Sequence, residues 1–262
     1  MASLINRRQF AVNFTDAVYA AVGESLLGAV LFGSVARGTD TATSDVDVLF
    51  VLPESQAEST ADSITRLARQ ASRQYRIAVS SDTVDRLQHF VDVGDPFVRT
   101  IFGQGEILRD TNGLLSALHA RCHDPNGLPD VKDAAQYLHA KALFHHRRVY
   151  EQLYELLGDL QLSLMARFQA LSLLANSEPT PDSFFRVSTW DGAKASLGDG
   201  VLDEESCAVA QLLIEAHKKA SEVQLFSEFR QCFSTVAEKL ELAYIDRMAA
   251  SHCEAPPSRM TD

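Results

Sequence analysis

The chain has 262 residues, and 46% of them are hydrophobic, as in an ordinary globular protein with a buried core. Its formal net charge of −11 argues against a broad phosphate-binding face for long DNA. No apolar stretch reaches the ~20 residues of a membrane span, and the N-terminal sequence lacks the apolar region of a signal peptide. The four cysteines are scattered without the spacing of a zinc site or a disulfide framework. These properties predict a cytoplasmic protein with reduced thiols and no membrane attachment.

The first part of the chain alternates predicted helices and strands. An amphipathic helix is predicted over 7–22, where apolar residues recur at every fourth position. Two apolar strands follow over 29–32 and 46–52, joined by a turn-rich bridge. The remaining elements are a helix, a strand and two helices, predicted over 54–74, 76–80, 83–93 and 96–102. This order predicts an α+β fold in which a small mixed sheet is flanked by helices.

The second part of the chain is predicted to be a helical bundle. A turn-rich segment separates a first domain, residues 1–123, from a second, residues 130–253. Apolar spacings of three and four predict antiparallel helices over 132–158, 160–176, 203–226 and 228–250. The segment 178–200 is expected to be a long loop in which Trp190 is a partly packed anchor. The tail over 254–262 is expected to be disordered.

The bridge between the first two strands has the strongest chemical pattern in the chain. Gly33 lets the backbone approach a phosphate, and the Ser34 hydroxyl can donate to phosphate oxygens. Asp45 and Asp47 are separated by one residue at the start of the second strand, so both carboxylates project from the same face. Mg²⁺ commonly binds through one or two carboxylates together with substrate phosphates. The pattern, with an apolar strand on each side, predicts a cradle for a nucleoside triphosphate and its metal.

The bridge resembles the signature of the DNA polymerase β-like nucleotidyltransferase superfamily, which is a Gly-Ser pair followed by Asp-x-Asp. In this chain about ten residues separate the two parts. The closer likeness is to the minimal nucleotidyltransferases and to the aminoglycoside and lincosamide nucleotidyltransferases. It covers about residues 10–115, and Arg37 and Gly38 stand where those families often keep the same residues. The segment from Gly94 to Leu108 resembles a helix and short closing segment seen in many members.

The resemblance implies a Mg²⁺-dependent or Mn²⁺-dependent transfer of a nucleoside monophosphate, AMP from ATP in the leading interpretation, to a hydroxyl acceptor. The acceptor would be a small hydroxylated molecule, a tRNA end or a protein hydroxyl, and the sequence leaves open whether the chain acts as a homodimer. Gly33 and Ser34 would bind the triphosphate, and Arg37 would add a phosphate contact, unless it is simply an exposed arginine. The catalytic metal ligands would be Asp45 and Asp47.

The chain departs from the superfamily in one respect. Active members usually place a third carboxylate on the next strand, but the predicted strand over 76–80 contains no acid and begins with Arg76. Asp82 follows this strand and is expected to point away from the two-carboxylate face. The other candidates for the general base are Glu106, Glu151 and Glu155. The departure favours the alternative interpretation, a non-catalytic nucleotide-binding module of a regulatory or antitoxin-like kind.

Two residue patterns in the predicted bundle resemble functional motifs, but each has a simpler, non-functional explanation. His139, His145 and His146 lie on one helix at spacings that do not suit a shared metal, so a solvated or partner-facing cluster is expected. Arg247 and His252 formally match the arginine–histidine motif of HEPN ribonucleases, which are helical partners of minimal nucleotidyltransferases. A chance match is favoured, because the chain contains many arginines and histidines.

Overall fold

The structure is a computed structural model that describes residues 6–72, 75–151, 156–176, 180–197, 201–204, 206–211 and 226–253. The chain divides into two compact units, residues 1–128 and 129–262. The predicted tail over 254–262 and most of the predicted helix over 203–226 lie outside the described residues. None of the helices within the described residues has the length and apolar character needed to cross a membrane.

The first unit is built on a four-stranded mixed sheet. Its strands are β1 (Gly28–Phe32), β2 (Val46–Leu52), β3 (Ile77–Thr83) and β4 (Glu106–Asp110), in the order β3-β2-β1-β4. Its helices are α1 (Arg7–Val22), α2 (Gly33–Ala36), α3 (Ala57–Ala71), α4 (Val84–Asp92), α5 (Pro96–Gln104) and α6 (Leu114–His123). β1 is antiparallel to β2 and to β4, whereas β2 and β3 are parallel. The predicted α+β class with a mixed sheet is confirmed.

One face of the sheet packs against α1 and α3. The strand residues on this face include Ala29, Leu31, Val48 and Phe50, which belong to the same buried cluster as the apolar residues of the two helices. The Phe14 ring of α1 meets the Phe50 ring edge-on, with 5.9 Å between centroids. Because successive strand residues alternate between faces, Phe32 and Asp47 belong to the opposite face.

The opposite face of β1 and β2 lies against α5 and α6. A β-carbon at Gly28 would collide with Leu115 of α6, and one at Gly105 would collide with Val30 of β1. These close approaches are possible only for glycine. Both faces of the central strands are therefore covered, which explains why β1 is a continuous apolar run and why β2 is one from Val48 onward.

The second unit is helical, as predicted. Its helices are α7 (Val131–Glu151), α8 (Leu156–Leu174), α9 (Pro181–Val187), α10 (Trp190–Leu197) and α11 (Phe226–Cys253). Residues 206–211 are also helical. α8 packs against α7, α10 and α11, and it brings the most continuous apolar surface to the unit.

The predicted long loop over 178–200 is wrong, because this segment contains α9 and α10. Thr180 and Ser183 form a reciprocal capping box that starts α9 immediately before its buried phenylalanines. Trp190 begins α10, and its ring packs edge-on against Phe168 of α8 with 4.4 Å between centroids. The expected packing of Trp190 as an anchor is confirmed, but the anchor belongs to a helix.

Candidate active site

Gly33 lies where β1 comes closest to Asp47. Phe32 is opposite Asp47 in the register of β1 and β2, and Gly33 follows with φ +72°, in the left-handed region that favours glycine. A β-carbon at residue 33 would overlap Oδ2 of Asp47. Ser34 comes next in the first turn of α2, and its carbonyl accepts a hydrogen bond from the Thr39 N–H at 3.0 Å. Glycine at 33 is therefore required by both the backbone angle and the nearby carboxylate.

Asp45 and Asp47 are close enough for their charges to interact. Asp45 immediately precedes β2, and Asp47 is the second residue of the strand. The pKa of Asp47 is raised to about 6, chiefly by burial and then by the negative charge of Asp45, while the positive charge of Arg37 acts in the opposite direction. The structure thus brings the two carboxylates and Arg37 together beside the Gly33 turn. A cation bound between the carboxylates would relieve their repulsion.

Arg76 is the cation that accompanies Asp45 in this structure. Its Nε lies 3.1 Å from Oδ1 of Asp45, although that oxygen is buried and accepts no hydrogen bond from any described residue. The Arg76 side chain is 80% exposed, so the ion pair is weakly held and can give way to another cation. A buried carboxylate oxygen without a donor, next to a second carboxylate, fits a hard divalent cation such as Mg²⁺.

The register of β2 and β3 identifies the strand neighbour of Asp47 as Ala78. In-register residues of neighbouring strands share a face, so Ala78 stands beside the carboxylate and its side chain is exposed. No group of three or more His, Cys, Asp or Glu residues in the described part of the chain is arranged to hold a metal ion. Within the described residues, a cation at this position would have only the Asp45 and Asp47 carboxylates as acidic ligands.

The expected orientation of Asp82 is wrong. β3 extends to Thr83, and Asp82 pairs with Val51, so it lies on the same face as Asp47. Asp82 nevertheless lies four residues beyond Ala78, the strand neighbour of Asp47, which is about 13 Å at the usual rise of a strand. There it forms an ion pair with Arg86 at 3.4 Å. Asp82 is thus too far along the strand to complete the site.

The remaining carboxylate candidates do not supply the third ligand within the described residues. Glu106 pairs with Leu31 across β1 and β4, which places it on the α1 face, opposite to Asp47. Its carboxylate forms an ion pair with Arg8 of α1 at 2.6 Å. The side chains of Glu151 and Glu155 lie outside the described residues.

Arg7 binds the segment between β1 and β2 that precedes the two aspartates. The sequence analysis did not identify this arginine as a site residue. Its Nε donates to the Ser44 carbonyl at 3.2 Å, its Nη2 donates to the Ala42 carbonyl at 2.6 Å, and its Nη1 contacts the Asp40 carboxylate at 3.3 Å. Because Ser44 directly precedes Asp45, Arg7 positions the first carboxylate. One sequence feature could have indicated this role: Arg7 lies at helical spacing from the buried residues of α1, on the same face.

His139 and His146 of α7 face other helices of the second unit. His139 Nε2 lies 3.3 Å from Glu241 of α11, and Arg167 of α8, which is 4% exposed, contacts Nδ1 of His146 at 3.1 Å. Burial lowers the pKa of both histidines. The expected solvated cluster is therefore wrong for His139 and His146, which belong to an internal polar network.

Arg247 also has a structural role in the second unit. It donates from Nη1 to the Leu171 carbonyl at 2.9 Å and from Nη2 to the Leu197 carbonyl at 3.1 Å. These carbonyls belong to the last turns of α8 and α10, and the Leu171 carbonyl also accepts a hydrogen bond from the Ala175 N–H at 3.0 Å. The side chain of His252 lies outside the described residues. The contacts explain Arg247 without a ribonuclease motif.

Comparisons with known proteins identify the class of the first unit. Residues 23–112 match the nucleotidyltransferase domain family. A spectinomycin adenyltransferase, AAD(9) of Enterococcus faecialis, crystallised with ATP and spectinomycin, is 12% identical, with 88% of this chain and 98% of that chain covered and a TM-score of 0.48. A nucleotidyltransferase-like protein of Exiguobacterium sibiricum is 14% identical, with coverages of 94% and 81% and a TM-score of 0.33. A toxin-antitoxin structure with AMP-PNP is 17% identical, with coverages of 53% and 95% and a TM-score of 0.29. A search of curated proteins gives no match.

The first unit of the chain therefore contains a nucleotidyltransferase domain. The expected nucleotidyltransferase-like domain is confirmed for residues 23–112. The matched segment runs from the end of α1 to the end of β4 and includes both sides of the Gly33–Asp47 contact.

Proposed function

We propose that the chain transfers AMP from ATP to a hydroxyl acceptor. The observation that carries the proposal is the placement of Asp45 and Asp47 on one face, directly beside the Gly33 turn. In the reaction, the acceptor oxygen forms a bond to the α-phosphorus while the bond from that phosphorus to the pyrophosphate oxygen breaks. Pyrophosphate leaves, and the acceptor proton is released.

Each site residue has a separate task in this proposal. Gly33 lets the triphosphate approach the backbone, and Ser34 donates its hydroxyl to a phosphate oxygen. Arg37 adds positive charge close to the phosphates, because it already acts on Asp47. Asp45 and Asp47 would hold Mg²⁺ or Mn²⁺, which supplies charge neutralisation for the transferred group when bound. Arg76 would release Asp45 as that cation binds.

The second candidate function is nucleotide binding without transfer, in a regulatory or antitoxin-like module. The observation that favours it is Ala78, which occupies the position next to Asp47 where a third carboxylate could stand. Among the described residues, Glu106 lies on the other face and Asp82 lies too far along β3 to take the acceptor proton. A chain without a general base at this position would still bind nucleotide, because general-base help typically contributes ~10²–10⁴-fold to rate and nothing to triphosphate binding.

The test is to incubate the full chain with ATP and Mg²⁺ or Mn²⁺ in the presence of three acceptor classes: aminoglycoside-like hydroxylated molecules, tRNA and proteins. Mass spectrometry then detects an added AMP. Asp47→Asn should abolish the adduct, and Asp62→Asn, which changes an exposed carboxylate of α3, should leave it unchanged. Transfer by Asp47→Asn at the parent rate would contradict the site assignment. Binding of ATP without transfer to any acceptor would support the second candidate.

A further inference from the structure

Phe97 is a half-exposed aromatic ring next to the nucleotide site. Its side chain is 49% exposed, and it stands in the first turn of α5. Its ring meets the Phe32 ring edge-on, with 5.9 Å between centroids and 85° between planes. Phe32 is the residue that directly precedes Gly33. Single exposed apolar side chains are common on protein surfaces, so it is the position of this ring beside the Gly33 turn that suggests a ligand.

Phe97 contacts Phe32, which is the strand neighbour of Asp47. Phe32 and Asp47 are directly opposed residues of an antiparallel pair, so their side chains share a face and lie roughly 5 Å apart. Since the Phe97 and Phe32 ring centroids are 5.9 Å apart, the Phe97 ring lies within about 10 Å of the carboxylate. The ribose of a nucleotide separates its α-phosphate from its base by a distance of this order. A nucleotide held at Gly33 and Asp47 can therefore reach Phe97 with its base.

The backbone that carries Phe97 is fixed in place. The Asp95 side chain, 1% exposed, accepts hydrogen bonds from the N–H groups of Phe97 at 3.0 Å and Val98 at 3.1 Å. Pro96 between them presets the first helical turn. A ring on a rigid support loses little conformational entropy when a ligand stacks on it.

We infer that Phe97 stacks on the nucleobase of the bound nucleoside triphosphate and that the site consequently prefers purines to pyrimidines. The inference rests on the proposed function, because it assigns the base to one side of the proposed triphosphate site. In an edge-on pair, one ring presents its edge and the other one face, so Phe97 keeps at least one face outside its contact with Phe32. Stacking on that face accepts any base but favours the larger purine rings.

The test compares two probes in isothermal titration calorimetry on the full chain with Mg²⁺: ATP and inorganic tripolyphosphate, which has the phosphates without the base. Phe97→Ala should weaken ATP binding about 10-fold or more, as loss of one base stack predicts, and leave tripolyphosphate binding unchanged. Phe97→Trp should keep or strengthen ATP binding. Phe97→Leu, which keeps apolar volume without an aromatic face, should behave like Phe97→Ala.

Phe144→Ala is the matched control, because it removes another exposed phenylalanine, on α7 of the second unit. It should bind both probes like the parent. In the parent, ATP and GTP should bind more tightly than CTP and UTP, and Phe97→Ala should reduce this difference. Unchanged ATP affinity in Phe97→Ala, or an equal loss for ATP and tripolyphosphate, would overturn the inference while leaving the triphosphate site intact. Failure of the parent to bind either probe would overturn the proposed function itself.

Discussion

Ala78 lies directly opposite Asp47 in the register of β2 and β3, so a side chain at 78 extends beside the carboxylate. We expect Ala78→Asp to add a third ligand to the metal site. Without metal, the variant should be less stable by about 0.5–1 kcal/mol, because like charges on opposed strand residues repel. With Mg²⁺ or Mn²⁺, its melting temperature should rise by more than that of the parent, because a further carboxylate strengthens cation binding.

The control for this change is Ala78→Asn, which adds nearly the same volume without the charge. Thermal unfolding at increasing metal concentration separates the two variants. Equal metal-induced shifts in the aspartate and asparagine variants would show that residue 78 does not reach the metal site.

Asp47→Asn should stabilise the chain near pH 7 although it removes a site residue. The pKa of Asp47 is raised to about 6, so between pH 3.8 and about 6 the folded state holds a proton that the unfolded state has lost. The unfolding free energy therefore falls as pH rises through this window. Above about pH 6 the folded state carries the whole cost of the buried, ionised carboxylate. Asparagine removes the penalty, which is of the order of 1 kcal/mol after solvent screening.

Urea unfolding of the parent and of Asp47→Asn measures this difference. The gain should be present at about pH 7 and nearly absent at about pH 4, because the carboxyl is then mostly protonated in the folded state. Asp62→Asn serves again as the exposed comparison. A gain that does not depend on pH would assign the stabilisation to packing and not to the carboxylate charge.

Arg7→Lys should loosen the bridge that leads into Asp45. Lysine keeps the positive charge but cannot reproduce the guanidinium contacts to Ala42, Ser44 and Asp40. We expect a loss of about 1–2 kcal/mol in unfolding free energy and weaker ATP binding. Hydrogen exchange should become faster across 39–45. Arg66→Lys, a change on an exposed part of α3, should have neither effect, and unaltered exchange in Arg7→Lys would remove the positioning role of Arg7.

The polar network of the second unit should make its stability depend on pH. The pKa of His146 is lowered by burial and then by the Arg167 charge, so the histidine takes up a proton on unfolding in the pH range just below its ordinary pKa of about 6.5. The unfolding free energy therefore falls as pH drops below that value. His146→Gln keeps an acceptor for Arg167 but cannot titrate, so its fall should be smaller. Urea unfolding at about pH 7.5 and pH 5.5 makes the comparison, and identical falls in both proteins would exclude a contribution from His146.

The sequence predicted the parts of the site that depend on local spacing. Gly33 and Asp47 flank one short bridge, and strand alternation alone decides that Asp45 and Asp47 share a face. Contacts distant in sequence were missed, because no local pattern joins Arg7 to Ser44, 37 residues away. The orientation of Asp82 depends on the β2–β3 register, which the predicted strand ending at residue 80 did not contain.

The error over 178–200 has a different physical origin. The segment contains Pro181 and Gly192, and both residue types usually mark turns and loops. Proline, however, is well suited to the first turn of a helix, and here it follows the capping residue Thr180. Short helices such as α9 and α10 gain their stability from burial against α8, which a local pattern does not contain.

The overlap between a β-carbon at 33 and the Asp47 carboxylate makes the residues tolerated at position 33 depend on the residue at position 47. In a mutational library screened only for folded protein, a side chain at 33 should be accepted mainly in members that have also lost Asp47. Even those members should favour asparagine, because φ +72° disfavours most other residues. In homologues that no longer bind nucleotide, we therefore expect residues 33 and 47 to be substituted together. Paired substitution at these two positions would then identify homologues that have lost the site.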